Sequence, residues 1–406
     1  MKSLSSRAAI VLGFCLSAPA LADEPPPLKP LFDARLRVEN VDQDGVPEDA
    51  HATTLRLRAG FETAKKWNTS LLVEGEGVVP IQTNYRPDPL VASRTQYPVV
   101  ADPEGYEVNR FQLVNTSLPG TTVTLGRQRL LLDDQRFIGA SAWRQNEQTF
   151  DALRVVNRSV KNLTVDAAYV NRVNRVYGPD SPQGHYEGDS GLLNLGYQTK
   201  AGKITAFAYL LDFENIAVAP AAVRDSTRTT GVRFAGEQPA GKAKIAYAAS
   251  YAQQSDYADN PLEFDLDWKF VEVNATVGVF TIGAGAEIFE GNGVKGFTTP
   301  LATLHKFQGW ADKFLTTPPN GLEDEYVTAG LNLKKVMSAD VVTVVAAYHD
   351  YAAERVSADY GDEIDVSVAA KFGKVTAMLK FADFDAGVLA SARDTQKVWG
   401  QVEYVW

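Results

Sequence analysis

Apolar and charged side chains alternate strictly along the stretch Phe32-Asp33-Ala34-Arg35-Leu36-Arg37-Val38-Glu39. A period of two residues places successive side chains on opposite faces of a β-strand, whereas a helical face would repeat about every 3.6 residues. The same alternation recurs at residues 55–62, 243–251, 265–270 and 363–372. Repeated strands with one apolar and one charged face are typical of a transmembrane β-barrel.

The connections between the alternating segments are of two kinds, which themselves alternate along the chain. Short turns are predicted at residues 64–68, 118–120, 200–202, 237–241 and 372–374. Long loops are predicted at residues 79–106, 130–148, 173–189, 214–225 and 290–322. Because outer-membrane barrels have short periplasmic turns and long extracellular loops, we predict an all-β, antiparallel, up-and-down transmembrane barrel.

The barrel is predicted to contain about 18 strands, and this even number places both chain ends on the periplasmic side. The strands are expected to begin near residues 31, 53, 69, 107, 121, 148, 161, 190, 203, 226, 242, 263, 280, 323, 339, 362, 375 and 396. Lipid offers no hydrogen bonds to an open sheet edge, so the sheet must close on itself.

The composition argues against two other classes of protein. The 406 residues include 40 Lys and Arg against 50 Asp and Glu, and the net charge of −10 lacks the basic footprint of a nucleic-acid binder. After the N-terminus, no apolar run approaches the roughly 18 residues that a membrane-spanning helix needs. A soluble β-sandwich also alternates, but it would not carry one apolar face through so many long segments.

The first 22 residues have the features of a secretory signal peptide. Lys2 and Arg7 precede an apolar segment, and Ala20 and Ala22 supply the small residues before the predicted cleavage point. Residues 1–22 would be removed, and residues 23–406 would form a single barrel domain. Cys15 is the only cysteine and lies in the signal peptide, so we expect neither disulfides nor a thiolate metal site.

Aromatic side chains are expected at the membrane interfaces and at the end of the last strand. The interfacial girdles are predicted to include Tyr169, Tyr197, Phe207, Tyr209, Trp268, Tyr348, Phe381 and Tyr404. The final strand, residues 397–406, ends on Trp406 and looks like the terminal strand that the barrel assembly machinery recognises in outer-membrane proteins. We therefore expect the chain in bacterial outer-membrane lipid.

Several motifs form a set that is more specific than barrels in general. The set comprises Leu125-Gly126-Arg127-Gln128-Arg129-Leu130 and residues 141–154, 296–314, 348–351 and 360–365. It resembles the alginate-export family of outer-membrane porins. The resemblance implies a monomeric channel of about 18 strands, in which an arginine-rich constriction passes an acidic polysaccharide outwards.

If the apolar face meets lipid, the other face lines a pore, and this face is rich in arginine. The predicted constriction comprises Arg56, Arg58, Arg110, Arg127, Arg129, Arg136, Arg144 and Arg154, with Arg35 and Arg37 also facing inwards. The carboxylates expected on the opposing wall are Glu74, Glu76, Glu363 and Asp365. Simple alternation would point Arg127 into lipid, at a cost of about 2–4 kcal/mol, so we predict a bulge at Gly126 that turns it inwards.

Arginine binds carboxylates bidentately, and rings of charge select ions in pores. The sequence thus predicts an anion-preferring channel for acidic or sugar-like solutes, which either exports a polysaccharide such as alginate or takes up small organic acids or oligosaccharides. The alternative for each arginine is an ion pair with a lumenal carboxylate that merely fills the bore. A barrel-borne hydrolase is the rival class, but no catalytic motif supports it, and we expect no enzyme activity, metal or cofactor.

Overall fold

The computed structural model describes residues 27–214, 222–389 and 391–406, so the predicted signal peptide lies outside the described residues. Within these ranges, 18 antiparallel strands form one closed sheet, in which β1 pairs with both β2 and β18. The strands are β1 (Leu28–Gln43), β2 (Ala50–Thr63), β3 (Thr69–Asn84), β4 (Gly105–Asn115), β5 (Thr121–Gln128), β6 (Thr149–Asn157), β7 (Leu163–Asn174), β8 (His185–Gln198), β9 (Lys203–Leu211), β10 (Thr227–Ala240), β11 (Ala243–Asp256), β12 (Asp265–Val277), β13 (Phe280–Phe289), β14 (Leu322–Val336), β15 (Ala339–Ala352), β16 (Asp359–Phe372), β17 (Val375–Ala386) and β18 (Thr395–Val405). The predicted closed barrel is confirmed.

Hydrophobic alternation located the strands well. Most of the 18 begin within three residues of their predicted positions, and the largest difference is at β8, which was expected near residue 190 and begins at His185. All the short turns lie at one end of the barrel and the long loops at the other. No helix in the described part of the chain is long and apolar enough to cross a bilayer.

The outer face carries an apolar belt. Leu57 on β2, Leu125 on β5, Ile282 on β13 and Leu379 on β17 are 43, 55, 65 and 68% exposed. Such exposure would be unfavourable in water, and it is what strands that face hydrocarbon require. The charged residues that alternate with this belt, such as Glu363, are buried inside the barrel.

Two long loops fill much of the bore. We call residues 129–148 the first inserted loop and residues 290–321 the second inserted loop. Ile138 of the first and Leu301 of the second are 1% and 0% exposed, and the amide of Gly139 donates a hydrogen bond of 2.8 Å to the Leu301 carbonyl. The lumen therefore contains an apolar core of its own beside its charged wall.

Three aromatic residues belong to this apolar core inside the barrel, and they face the opposite way to the prediction. Phe207, Tyr209 and Trp268 were expected in the interfacial girdles, but they are 6, 3 and 1% exposed and pack against Phe137 of the first inserted loop. An apolar side chain can face inwards here because a loop, not water, covers it. Tyr169, Tyr197 and Tyr348 are exposed on the outer face, as a girdle requires.

Candidate functional site

The arginines of β1 and β2 are buried and paired. Arg56 is fully buried and forms ion pairs with Asp33 and, at 2.9 Å, with Glu403. Arg58 pairs with Glu76 of the neighbouring strand and, at 3.5 Å, with Glu147. Each guanidinium is thus neutralised within the protein.

The same wall holds the first inserted loop in place. Arg35 Nη1 donates to the carbonyl oxygens of Ala142 and Trp143, both at 3.1 Å. Arg58 Nη2 reaches the carbonyl of Gln145 at 3.5 Å. These side chains therefore bind protein backbone at the position where sequence reasoning expected them to bind a solute.

Most of the remaining predicted arginines also have carboxylate partners. Arg110 pairs with Glu74 at 2.7 Å, and Arg129 pairs with Glu147 at 2.5 Å. Within the inserted core, Arg136 pairs with Glu287 at 2.7 Å. Arg154 pairs with Asp166 at 2.5 Å, and Arg144 pairs with Glu39 and Asp312 at 3.2 and 2.7 Å.

Arg127 does not point into the bore, and the predicted bulge at Gly126 is absent. β5 keeps a continuous register with β4, in which Leu125 lies opposite Leu113 and Arg127 lies opposite Phe111. The side chains of Leu125, Leu113 and Phe111 all face outwards. Arg127 instead pairs with Asp151 on β6, at 2.7 Å. Because the ion pair with Asp151 lies near the extracellular ends of β5 and β6, the Arg127 side chain can remain on the outer face.

Glu363 and Asp365 lie on β16, which only β17 and β18 separate from β1, so they are on the same side of the barrel as the arginines of β1 and β2. Glu74 and Glu76 on β3 pair directly with Arg110 and Arg58. Glu363 accepts hydrogen bonds from the amides of Trp310 and, at 2.6 Å, Ala311. The predicted opposing wall of carboxylates therefore does not face the arginines across an open bore. Glu363 anchors the second inserted loop.

A cavity of about 300 Å³ opens among the extracellular loops. It is bordered by the end of β1, the loops at residues 85–104 and 175–184, and both inserted loops. Its charged lining consists of Arg86, Arg144, Arg175, Asp312, Lys313 and Lys397. We call it the outer cavity, and Arg144 is its only member among the arginines predicted from the sequence.

Three cations of the outer cavity lack an acidic partner. In the described part of the chain, no carboxylate oxygen lies within 4.0 Å of the charged nitrogens of Arg86, Arg175 or Lys313. Their donors reach only uncharged oxygens, as when Lys313 Nζ donates to Gln43 Oε1 at 3.1 Å. No periodic pattern marks these loop residues, so they could not be identified from the sequence.

Asp312 is the one acid that lines the outer cavity among the residues that the structure describes, and basic neighbours balance its charge. Asp312 accepts from Arg144, Lys397 and His305 at 2.7, 3.1 and 2.7 Å. Burial alone would raise the pKa of Asp312, but these neighbours outweigh it and hold the pKa well below its usual range. The cavity therefore has a net positive charge.

Two further titratable groups sit beside this acid. Burial lowers the pKa of His305 well below its usual range, so the neutral ring donates from Nδ1 to Asp312 and accepts at Nε2 from Lys380 Nζ at 2.7 Å. Burial, with help from Lys397, lowers the pKa of Lys313 to about 7. The charge of the outer cavity is thus sensitive to pH near neutrality.

Comparison with known proteins supports the fold and the family resemblance. A family model described as alginate export matches residues 112–260. No curated protein matches the sequence. OpdK of Pseudomonas aeruginosa, solved with vanillate, is similar with a TM-score of 0.71 and 14% identity, over 93% of this chain and 98% of that one.

Two other solved structures are similar over the same extents, 93% of this chain and 98% of theirs. OccK9 (OpdG) of Pseudomonas aeruginosa has a TM-score of 0.71 at 15% identity, and OccAB4 of Acinetobacter baumannii has a TM-score of 0.70 at 14% identity. The chain therefore has the 18-stranded fold of these outer-membrane proteins, and its resemblance to the alginate-export family is confirmed by the match at residues 112–260.

Proposed function

We propose that this protein is an outer-membrane channel that takes up small carboxylate-bearing solutes through the outer cavity. The observation that carries the proposal is the set of three cations, Arg86, Arg175 and Lys313, that line the cavity without an acidic partner in the described residues. Unpaired cations in a narrow, partly desolvated opening attract anions more strongly than cations paired within a wall.

The size of the outer cavity favours a small solute. At about 300 Å³ it lies at the lower end of the volumes of ligand pockets, which suits one ring or one sugar unit rather than a threaded chain. Val46, Val99 and Leu315 line the cavity together with the cations. An apolar body with one carboxylate satisfies both parts of this lining, and vanillate, with which the similar OpdK was solved, is such a molecule.

A second candidate is the export of an acidic polysaccharide. The match to the alginate-export family over residues 112–260 favours it. Against it, the wall arginines that would guide a polyuronate are neutralised by carboxylates or bind the first inserted loop. Such a polymer would need that loop to leave the bore.

Current block in planar bilayers tests the proposal. Sodium glucuronate added on the extracellular side at pH 6, where Lys313 is charged, should interrupt the current through the channel. Lys313→Glu should weaken this block about three- to tenfold through charge reversal. The control is Lys306→Glu, in the same loop but outside the cavity lining. Absence of block in the wild type, or equal loss in both variants, would refute the proposal, and block by alginate oligomers alone would favour the second candidate.

A further inference from the structure

A second cavity lies at the opposite end of the bore, against β6, β7, β8 and β9. Its volume is about 230 Å³. Its lining consists of Leu131, Leu132, Asp133, Arg154, Arg158, Thr164, Asp166, Asn194, Gly196 and Lys203. Because Arg158 belongs to the turn between β6 and β7, where the short turns lie, this inner cavity is on the periplasmic side.

The lining of the inner cavity has one cation in excess. Arg154 forms a bidentate pair with Asp166, at 2.8 and 2.5 Å. Lys203 pairs with Asp133 at 3.1 Å. The guanidinium of Arg158 has no carboxylate oxygen within 4.0 Å among the residues that the structure describes. A bound monovalent anion would neutralise the site.

The first inserted loop separates the two cavities. Its residues 131–133 line the inner cavity, and Ser141, Trp143 and Arg144 line the outer one. The loop is fixed to the barrel wall at its inner end, because Asp133 accepts from Asn194 Nδ2 at 2.6 Å and the next residue, Asp134, pairs with Arg233 at 2.8 Å. The two cationic cavities therefore lie on either side of this loop, one towards each end of the bore.

We infer that the inner cavity is a second binding site for small carboxylates, from which solutes are released to the periplasm. The inference rests on the proposed function and extends it from one site to two sites in series. Conduction through a channel requires sites that bind well enough to admit a solute and weakly enough to release it. A single excess charge at Arg158 against three at the outer cavity provides binding that weakens in the inward direction.

The test is side-specific block of the current through single channels of known orientation. Sodium glucuronate added on the periplasmic side should block the wild-type channel, and Arg158→Glu should weaken that block about three- to tenfold. Block from the extracellular side should be unchanged in this variant. Lys161→Glu is the matched control, because Lys161 lies in the same turn with the same charge but does not line the cavity.

Each outcome decides the inference. Absence of periplasmic block in the wild type, unchanged block in Arg158→Glu, or an equal loss in Lys161→Glu would overturn it. If the proposed function is wrong but the inner site exists, glucuronate should block the wild-type channel from the periplasmic side and not from the extracellular side. Because Arg158 is exposed in a turn, its variant should fold, and the heat-dependent shift of folded barrels in gel electrophoresis confirms this before recording.

Discussion

The Arg37 guanidinium lies 4.1 Å from the centre of the Trp143 ring, and its Nη2 donates to the carbonyl oxygen of the same residue at 2.5 Å. Arg37 is 1% exposed, so this contact is withdrawn from solvent. A barrel arginine thus clamps the first inserted loop by ring and backbone together. The charged wall sets the width of the bore by holding a loop in it.

Arg37→Met should release the first inserted loop. The substitution leaves Asp102, which pairs with Arg37 at 3.4 Å, buried without this partner, and breaking a buried pair costs about 3–5 kcal/mol. We expect a larger and noisier single-channel conductance. Arg110→Met is the control, because Arg110 pairs with Glu74 and does not contact the loop. Identical conductance histograms for the wild type and Arg37→Met would contradict this role.

Anion preference should decrease as the pH rises through neutrality. The pKa of Lys313 is lowered to about 7, so the side chain is charged below that pH and becomes neutral above it. Reversal potentials in a KCl gradient should therefore show a smaller anion preference at pH 8 than at pH 6. Lys313→Arg stays charged throughout this range and should flatten the profile. A wild-type profile as flat as that of the variant would argue against this titration.

Glu363→Ala should loosen the second inserted loop, because the amides of Trp310 and Ala311 lose their acceptor. Each buried donor left without a partner costs about 1–3 kcal/mol. Trypsin should then cleave this loop of the reconstituted barrel several-fold faster, after Lys306 and Lys313. Glu363→Gln keeps an acceptor oxygen and should be cleaved at nearly the wild-type rate. Equal cleavage of both variants would disprove the anchoring role.

Arg127→Glu should leave ion selectivity unchanged, because the side chain lies on the outer face and pairs with Asp151. The measurement is the reversal potential in a KCl gradient, with Lys313→Glu as the comparison that should shift it. A shift for Arg127→Glu as large as that for Lys313→Glu would place Arg127 in the conduction path after all.

The barrel was predictable from sequence because lipid imposes a simple rule on each strand. A side chain such as Leu57 or Ile364 must face hydrocarbon, and the backbone must pair with neighbouring strands along its whole length. Turn length then separates the two ends of the barrel. These constraints are local, so one sequence was enough to locate the strands.

The contacts of the side chains inside the barrel could not be predicted in the same way. Trp268 faces inwards because the first inserted loop covers it, and alternation alone cannot distinguish a side chain that contacts lipid from one that contacts a loop. Some arginine partners, such as Glu403 for Arg56, come from a strand that is distant in sequence. Lys313 and Arg175 lie in irregular loops, where position depends on tertiary packing. The outer cavity was therefore not predictable from the sequence.

The most direct measurement is the position of a bound carboxylate in a crystal of the protein soaked with 4-bromobenzoate. The anomalous signal of bromine locates the ligand without assumptions about its orientation. We expect a bromine peak in the outer cavity, with the carboxylate directed towards Lys313 and Arg175. A peak found only beside the wall arginines Arg56 and Arg58, with the outer cavity empty, would contradict it.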